Sequence, residues 1–257
     1  MPTRVRPPIW LWFNVLSLDA PLIALVWQDF LSRCYPTTAL HLPGRAVLGL
    51  TVWAIYLADR LLDVRHPASP LESLRHRFYR RNRIFAQTLF ALVVCLDLAI
   101  TRLWLRPSLF SAGLLVAGAV ALYLGAFPLT EWGTTAWKKP IAAMLFTAGT
   151  FLIAWTGVGH PVRELAWPAL AFCALCLGNL LMIERWSQGS ASASPRLWIW
   201  LVLLLIPVAA SRDSNWFEAI VFSAAGLCAL ARWGRRMPGD ARCVLADAVL
   251  LTPLLFR

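Results

Sequence analysis

Solid apolar runs alternate with short basic stretches along the whole chain. Leu197 to Ala210, Ala112 to Phe127 and Leu165 to Ile183 are such runs, and the stretches between them are rich in Arg, Pro and Ser. A strand of a membrane barrel would alternate apolar and polar residues over about ten positions, and no such alternation is present. Backbone buried in lipid must satisfy its own hydrogen bonds, so the pattern predicts transmembrane α-helices. The expected spans are 9–31, 44–63, 83–103, 108–128, 138–157, 166–184, 196–211, 216–233 and 243–256, nine in all. The runs within 196–211 and 243–256 are shorter than the roughly 20 residues that cross a bilayer untilted. The first run has a basic start, but it is long, carries Asp19 and is followed by no small-residue cleavage site. It reads as a membrane helix rather than a signal peptide. No stretch is left for a soluble domain, so residues 1–257 are expected to form a single transmembrane domain.

Composition agrees. With 59% apolar and 14% charged residues, a polar coat for a globular body of this size cannot be assembled, and lipid must replace it. The net charge of +11 would raise nucleic acid as a partner of a soluble protein, but its placement follows membrane topology instead. With the N-terminus inside, 17 of the 24 Lys and Arg residues fall on the cytoplasmic side, among them the run from Arg60 to Arg83. The expectation is therefore a multi-pass membrane protein with a cytoplasmic N-terminus, in contact with anionic lipid headgroups and not with nucleic acid. Arg in excess of Lys, with many Ala, Leu and Trp, suggests a bacterial cytoplasmic membrane. Cys173 and Cys176 are the only closely spaced cysteines and read as apolar burial, since no second Cys or His pair accompanies them.

Acidic residues inside or beside membrane helices need a partner or a task. Asp59 and Asp63, in Tyr56-Leu57-Ala58-Asp59-Arg60-Leu61-Leu62-Asp63, are four apart at the end of the second expected helix. That spacing puts both carboxylates on one face, where they repel unless a cation stands between them. A magnesium ion carrying a diphosphate would serve, because it takes one or two carboxylates plus waters and phosphate oxygens. Ordinary ion pairs with Arg60 or Arg65 would serve as well. The loop that follows holds Arg65, His66, Arg75, His76, Arg77, Arg80, Arg81 and Arg83, and guanidinium forks match phosphate oxygens.

Ala58-Asp59-Arg60-Leu61-Leu62-Asp63-Val64 resembles the first aspartate-rich motif of the UbiA superfamily of intramembrane prenyltransferases. Members have nine transmembrane helices around a central cavity, with this motif at the cytoplasmic end of the second. Ile55 and Tyr56 stand where the family usually has Asn and Asp. The family's second acidic motif, at the end of the sixth helix, corresponds to Asn179-Leu180-Leu181-Met182-Ile183-Glu184-Arg185-Trp186-Ser187-Gln188, in which Glu184 alone is acidic. Tyr123 and the pair Lys138-Lys139 resemble a Tyr and a basic pair before the family's fifth helix. For the lysines, a snorkelling anchor at the membrane surface is the alternative.

The resemblance implies a UbiA-like bundle and a transferase that moves an isoprenyl group from a prenyl diphosphate to a lipophilic acceptor. Asp59 and Asp63 would be catalytic and, with Glu184, would hold Mg²⁺. Arg60, Arg65, Arg75, Lys138, Lys139, Tyr123 and Asn179 would bind the substrate. Two other readings stand beside it: an inactive member of the same fold that binds a lipid or a protein partner, and a small transporter using Asp19, Asp59 and Glu184. Further expectations concern packing. Gly113, Ala117, Ala121 and Gly125 form a small-residue stripe suited to close helix contact, Trp53 and Trp155 are candidates to wall a lipid channel, Trp10 and Trp12 to sit in interfacial belts, and Asn14 and Asp19 are deep polar residues of the first helix.

Overall fold

A computed structural model describes residues 12–35, 42–64, 74–129, 137–157, 162–187 and 214–256. Every regular element among them is helical. The chain passes through α1 (Trp12–Val15), α2 (Asp19–Cys34), α3 (Leu42–Asp63), α4 (Leu74–Arg81), α5 (Arg83–Trp104), α6 (Pro107–Leu129), α7 (Lys138–Thr156) and α8 (Val162–Ser187), then α9 (Ser214–Trp233) and α10 (Gly239–Val249). Short 3-10 turns follow at Gly234–Arg236 and Thr252–Leu255. Trp10, Arg65 and the expected helix 196–211 lie outside the described residues.

Five of these helices, α5 to α9, are long and apolar enough to cross a membrane. Of the other expected spans, α2 has 16 residues, while α3 has 22 and carries Arg45, Asp59, Arg60 and Asp63. Two spans differ in shape from the expectation. The first is broken at Ser17, whose φ of 55° lies in the left-handed region and ends the opening turn. Asp19 then starts α2, where a carboxylate suits the positive end of the helix, and Asn14 donates to it across the break at 2.7 Å. The last begins earlier, at Gly239, and ends at Val249, because Pro253 cannot continue a helix; the chain closes in a 3-10 turn instead.

The core gathers where α2, α7, α8 and α9 meet. Trp27 is fully buried there, with ring centroids 4.8 Å from Phe172 and 5.2 Å from Trp216, and its Nε1–H donates to the Leu250 carbonyl at 2.7 Å. Gly226 lets α9 approach α10, since a Cβ there would lie 2.7 Å from Cγ1 of Val249. A second cluster, with Leu57, Tyr79 and Val93, joins α3 to α4 and α5. By contrast α5 and α6 turn most of their apolar surface outward, as Leu92, Leu98, Leu103, Leu115 and Leu122 illustrate. The small-residue stripe shares that outward face: Ala117, Ala121 and Gly125 are exposed, and of its two glycines Gly113 alone lies opposite another side chain, Leu152. The packed face of α6 is instead the one that carries Val116, Val120 and Tyr123.

Candidate functional site

Between α3, α6, α7 and α8 lies a cavity of about 370 Å³, within the roughly 300–1,000 Å³ typical of ligand pockets. The wall on α3 runs from Leu48 to Arg60, a rise of roughly 18 Å at 1.5 Å per residue. Chemistry changes along that length. Leu48, Val52, Val116, Val120, Leu145, Phe146 and Gly149 make an apolar barrel, and Asp59, Arg60, Tyr123, Lys138, Lys139 and Glu184 gather at one end. The alternation of helix direction explains the gathering, because it brings the ends of α3 and α8 to the same level as the start of α7.

Six of the residues singled out in the sequence therefore line one cavity, including the acids of the second and sixth expected helices. Asp63 joins them through Arg60, whose Nη1 lies 2.8 Å from Asp63 Oδ2 and 3.3 Å from Asp59 Oδ2. Lys139 pairs with Glu184, tying the start of α7 to the end of α8. Asn179 is not part of this group: it faces the other side of α8 and donates to Asp247 of α10 at 2.9 Å. Arg75 lies on α4. Neither Trp53 nor Trp155 lines the cavity; the Trp53 Nε1–H donates to the Leu16 carbonyl at 2.9 Å, and Trp155 packs on Phe151.

The charges at this end oppose the helices that carry them. Lys138 and Lys139 open α7, at the positive end of its dipole, and Asp59, Asp63 and Glu184 occupy the last turns of α3 and α8, at the negative ends. Each misplacement costs about 0.3–1 kcal/mol in exposed helices. Sequences seldom contradict their local structure repeatedly without a functional return. Arg60 and Lys139 offset part of the cost by pairing with the acids. Lys138 has no carboxylate partner among the described residues, and Arg60 Nε is buried without a hydrogen bond among them.

The arrangement bears on the expected magnesium. The place between the two aspartates, where a divalent cation would sit, is taken by the Arg60 guanidinium, and Glu184 is engaged by Lys139. As folded, this donor set does not fit a divalent metal.

A pair missed in the sequence lies one layer behind the wall. Thr51, which lines the cavity, donates through Oγ1 to Asp97 Oδ2 of α5 at 2.7 Å, and Asp97 Oδ1 is buried without a partner among the described residues. Its signal was available, since Asp97 is the one acid in the apolar run from Ala86 to Ile100. Comparison with known proteins found no matching family model, no matching curated protein and no matching solved structure.

Proposed function

We propose that the chain is a membrane-embedded prenyltransferase, moving an isoprenyl group from a prenyl diphosphate to an acceptor in the lipid phase. One observation carries the reading: a single cavity is charged at one end and apolar along the rest, which is the shape of an isoprenyl diphosphate. The anionic head would lie against Lys138, Lys139 and Arg60, with the Tyr123 hydroxyl beside it, and the chain would run between α3, α6 and α7. Cations fixed in a site of low dielectric stabilise the charge that builds on a departing pyrophosphate. The allylic C–O bond breaks with its electron pair going to pyrophosphate. The acceptor then attacks the allylic carbon and gives up a proton to the released pyrophosphate, while apolar walls keep water from the cation. Asp59 and Asp63 act here as positioning residues that hold Arg60.

The test is release of pyrophosphate from geranylgeranyl diphosphate and shorter donors by the purified protein, with a pool of aromatic acceptors, for wild type, Asp59→Asn and Asp63→Asn. Release that falls by at least about tenfold in both folded variants supports transfer. Release from no donor would remove it.

A second reading has its own support. Arg60 bridges both aspartates and Lys139 closes on Glu184, so each acid already has a cation beside it, as suits a protein that binds a lipid phosphate without transforming it. It expects binding of the same lipids without pyrophosphate release, and aspartate variants altered in stability alone.

A further inference from the structure

The mismatch between the acidic pair and a divalent metal points to how the cavity would hold its ligand. We infer that the phosphate head of a lipid binds directly to the protein's own cations, with no divalent metal: Arg60 stands in the metal's place between Asp59 and Asp63, and Lys138, which has no carboxylate partner among the described residues, supplies the free cation. The inference deepens the proposed function, because it concerns the same cavity.

Three independent features converge. Arg60 touches both carboxylates, at 3.3 and 2.8 Å, through the same Nη1, leaving its Nε buried and without a hydrogen bond among the described residues. A guanidinium held this way is fixed in orientation; with Nη1 taken by the carboxylates and Nε buried, Nη2 is the atom left for a phosphate oxygen. Lys138 lines the same cavity and has no carboxylate partner there, although Lys139 beside it is paired. Both lysines begin α7, whose first backbone N–H groups have no carbonyl within the helix to bond; the Ile141 N–H already reaches back to Trp137. A helix N-terminus with two lysines repels cations and attracts anions, so a phosphate relieves the charge repulsion that a metal cation would increase. The apolar barrel beyond makes a lipid phosphate, rather than a free one, the fitting occupant.

The experiment follows thermal unfolding of the full chain in detergent, with excess EDTA or with Mg²⁺, on titration with geranylgeranyl diphosphate, inorganic pyrophosphate or geranylgeraniol. Stabilisation by the diphosphate lipid is expected to be the same in EDTA and in Mg²⁺ and to exceed that of either fragment. Lys138→Met weakens apparent affinity by about ten- to a hundredfold, the loss of one charge-assisted hydrogen bond, and Lys138→Arg restores most of it. Stabilisation that appears only with Mg²⁺, or is indifferent to Lys138→Met, or is matched by geranylgeraniol, overturns the inference. Stabilisation matched by pyrophosphate keeps metal-free anion capture and names the free anion as occupant. Pyrophosphate release measured on the same samples separates the two claims. Metal-free binding without release removes the transferase and keeps the inference, and release with binding that both require Mg²⁺ does the reverse.

Discussion

At the scale of the residue, two polar arrangements inside the helical bundle carry separate costs. Arg60 is the hub of the first: replaced by Gln, it leaves Asp59 and Asp63 facing one another without their shared cation, at side-chain exposures of 29% and 31%. The expected loss is about 1–3 kcal/mol, read as a lower unfolding midpoint in detergent, and Asp63→Asn in the same chain recovers part of it. The second is the Thr51–Asp97 hydrogen bond. Thr51→Val strands a carboxyl with one oxygen already unbonded among the described residues, costing about 1–3 kcal/mol, whereas Thr51→Val with Asp97→Leu removes both polar partners and costs less than the single change. A single variant no worse than the double would show that the bond carries no energy. Residues with charge were legible in the sequence, because Asp59, Arg60, Lys138, Lys139 and Glu184 stand out against apolar runs and do share a cavity. The choice between partners was not: the sequence offered both a metal and Arg60 for the aspartates, spacing of four along α3 suits either, and the guanidinium between them is visible only in three dimensions.

At the scale of the element, helices were legible and their interruptions only partly so. Runs of apolar residues set α5 to α9, but the break at Ser17 depends on a backbone dihedral that no hydropathy pattern encodes. The stripe on α6 misled for a related reason. Small residues permit close approach without requiring it, and in the described residues the face of α6 that lines the cavity is the one with larger side chains. Gly149 on α7 shows the opposite situation. A Cβ there would meet only Leu48 Cδ1, at 4.0 Å, so a larger side chain enters the cavity rather than a neighbouring helix. It lies ten residues beyond Lys139, roughly 15 Å along the helix from the charged end. Gly149→Leu is expected to leave the unfolding midpoint unchanged or slightly higher, since Gly is a poor helix former, while weakening geranylgeranyl diphosphate binding at least about tenfold relative to geranyl diphosphate. Equal weakening for both chains would mean that the apolar barrel is not where the chain lies.

At the scale of the whole molecule, the outward face of the bundle is apolar. The windows of α5 and α6 that could cross a membrane are each only 11% buried within the chain, and their outward surface is mostly Leu, Ala and Phe. So large an apolar surface would not remain in water, where monomeric proteins seldom expose more than a few hundred Å² of contiguous apolar area. Cys95 reports on this directly. Its thiol is exposed and lies near the middle of α5, between Leu92 and Leu98. If lipid covers that face, Cys95 in intact membranes reacts with a lipid-soluble maleimide and resists a charged, membrane-impermeant one, in a variant whose other cysteines are changed to Ala or Ser. Detergent extraction should not by itself open the site, because the micelle replaces the bilayer around the same face, but unfolding should. Prompt labelling by the charged reagent in sealed membranes would place α5 against water, and the cavity between α3, α6 and α7 would then lose the lipid phase from which its ligand and its acceptor are proposed to come.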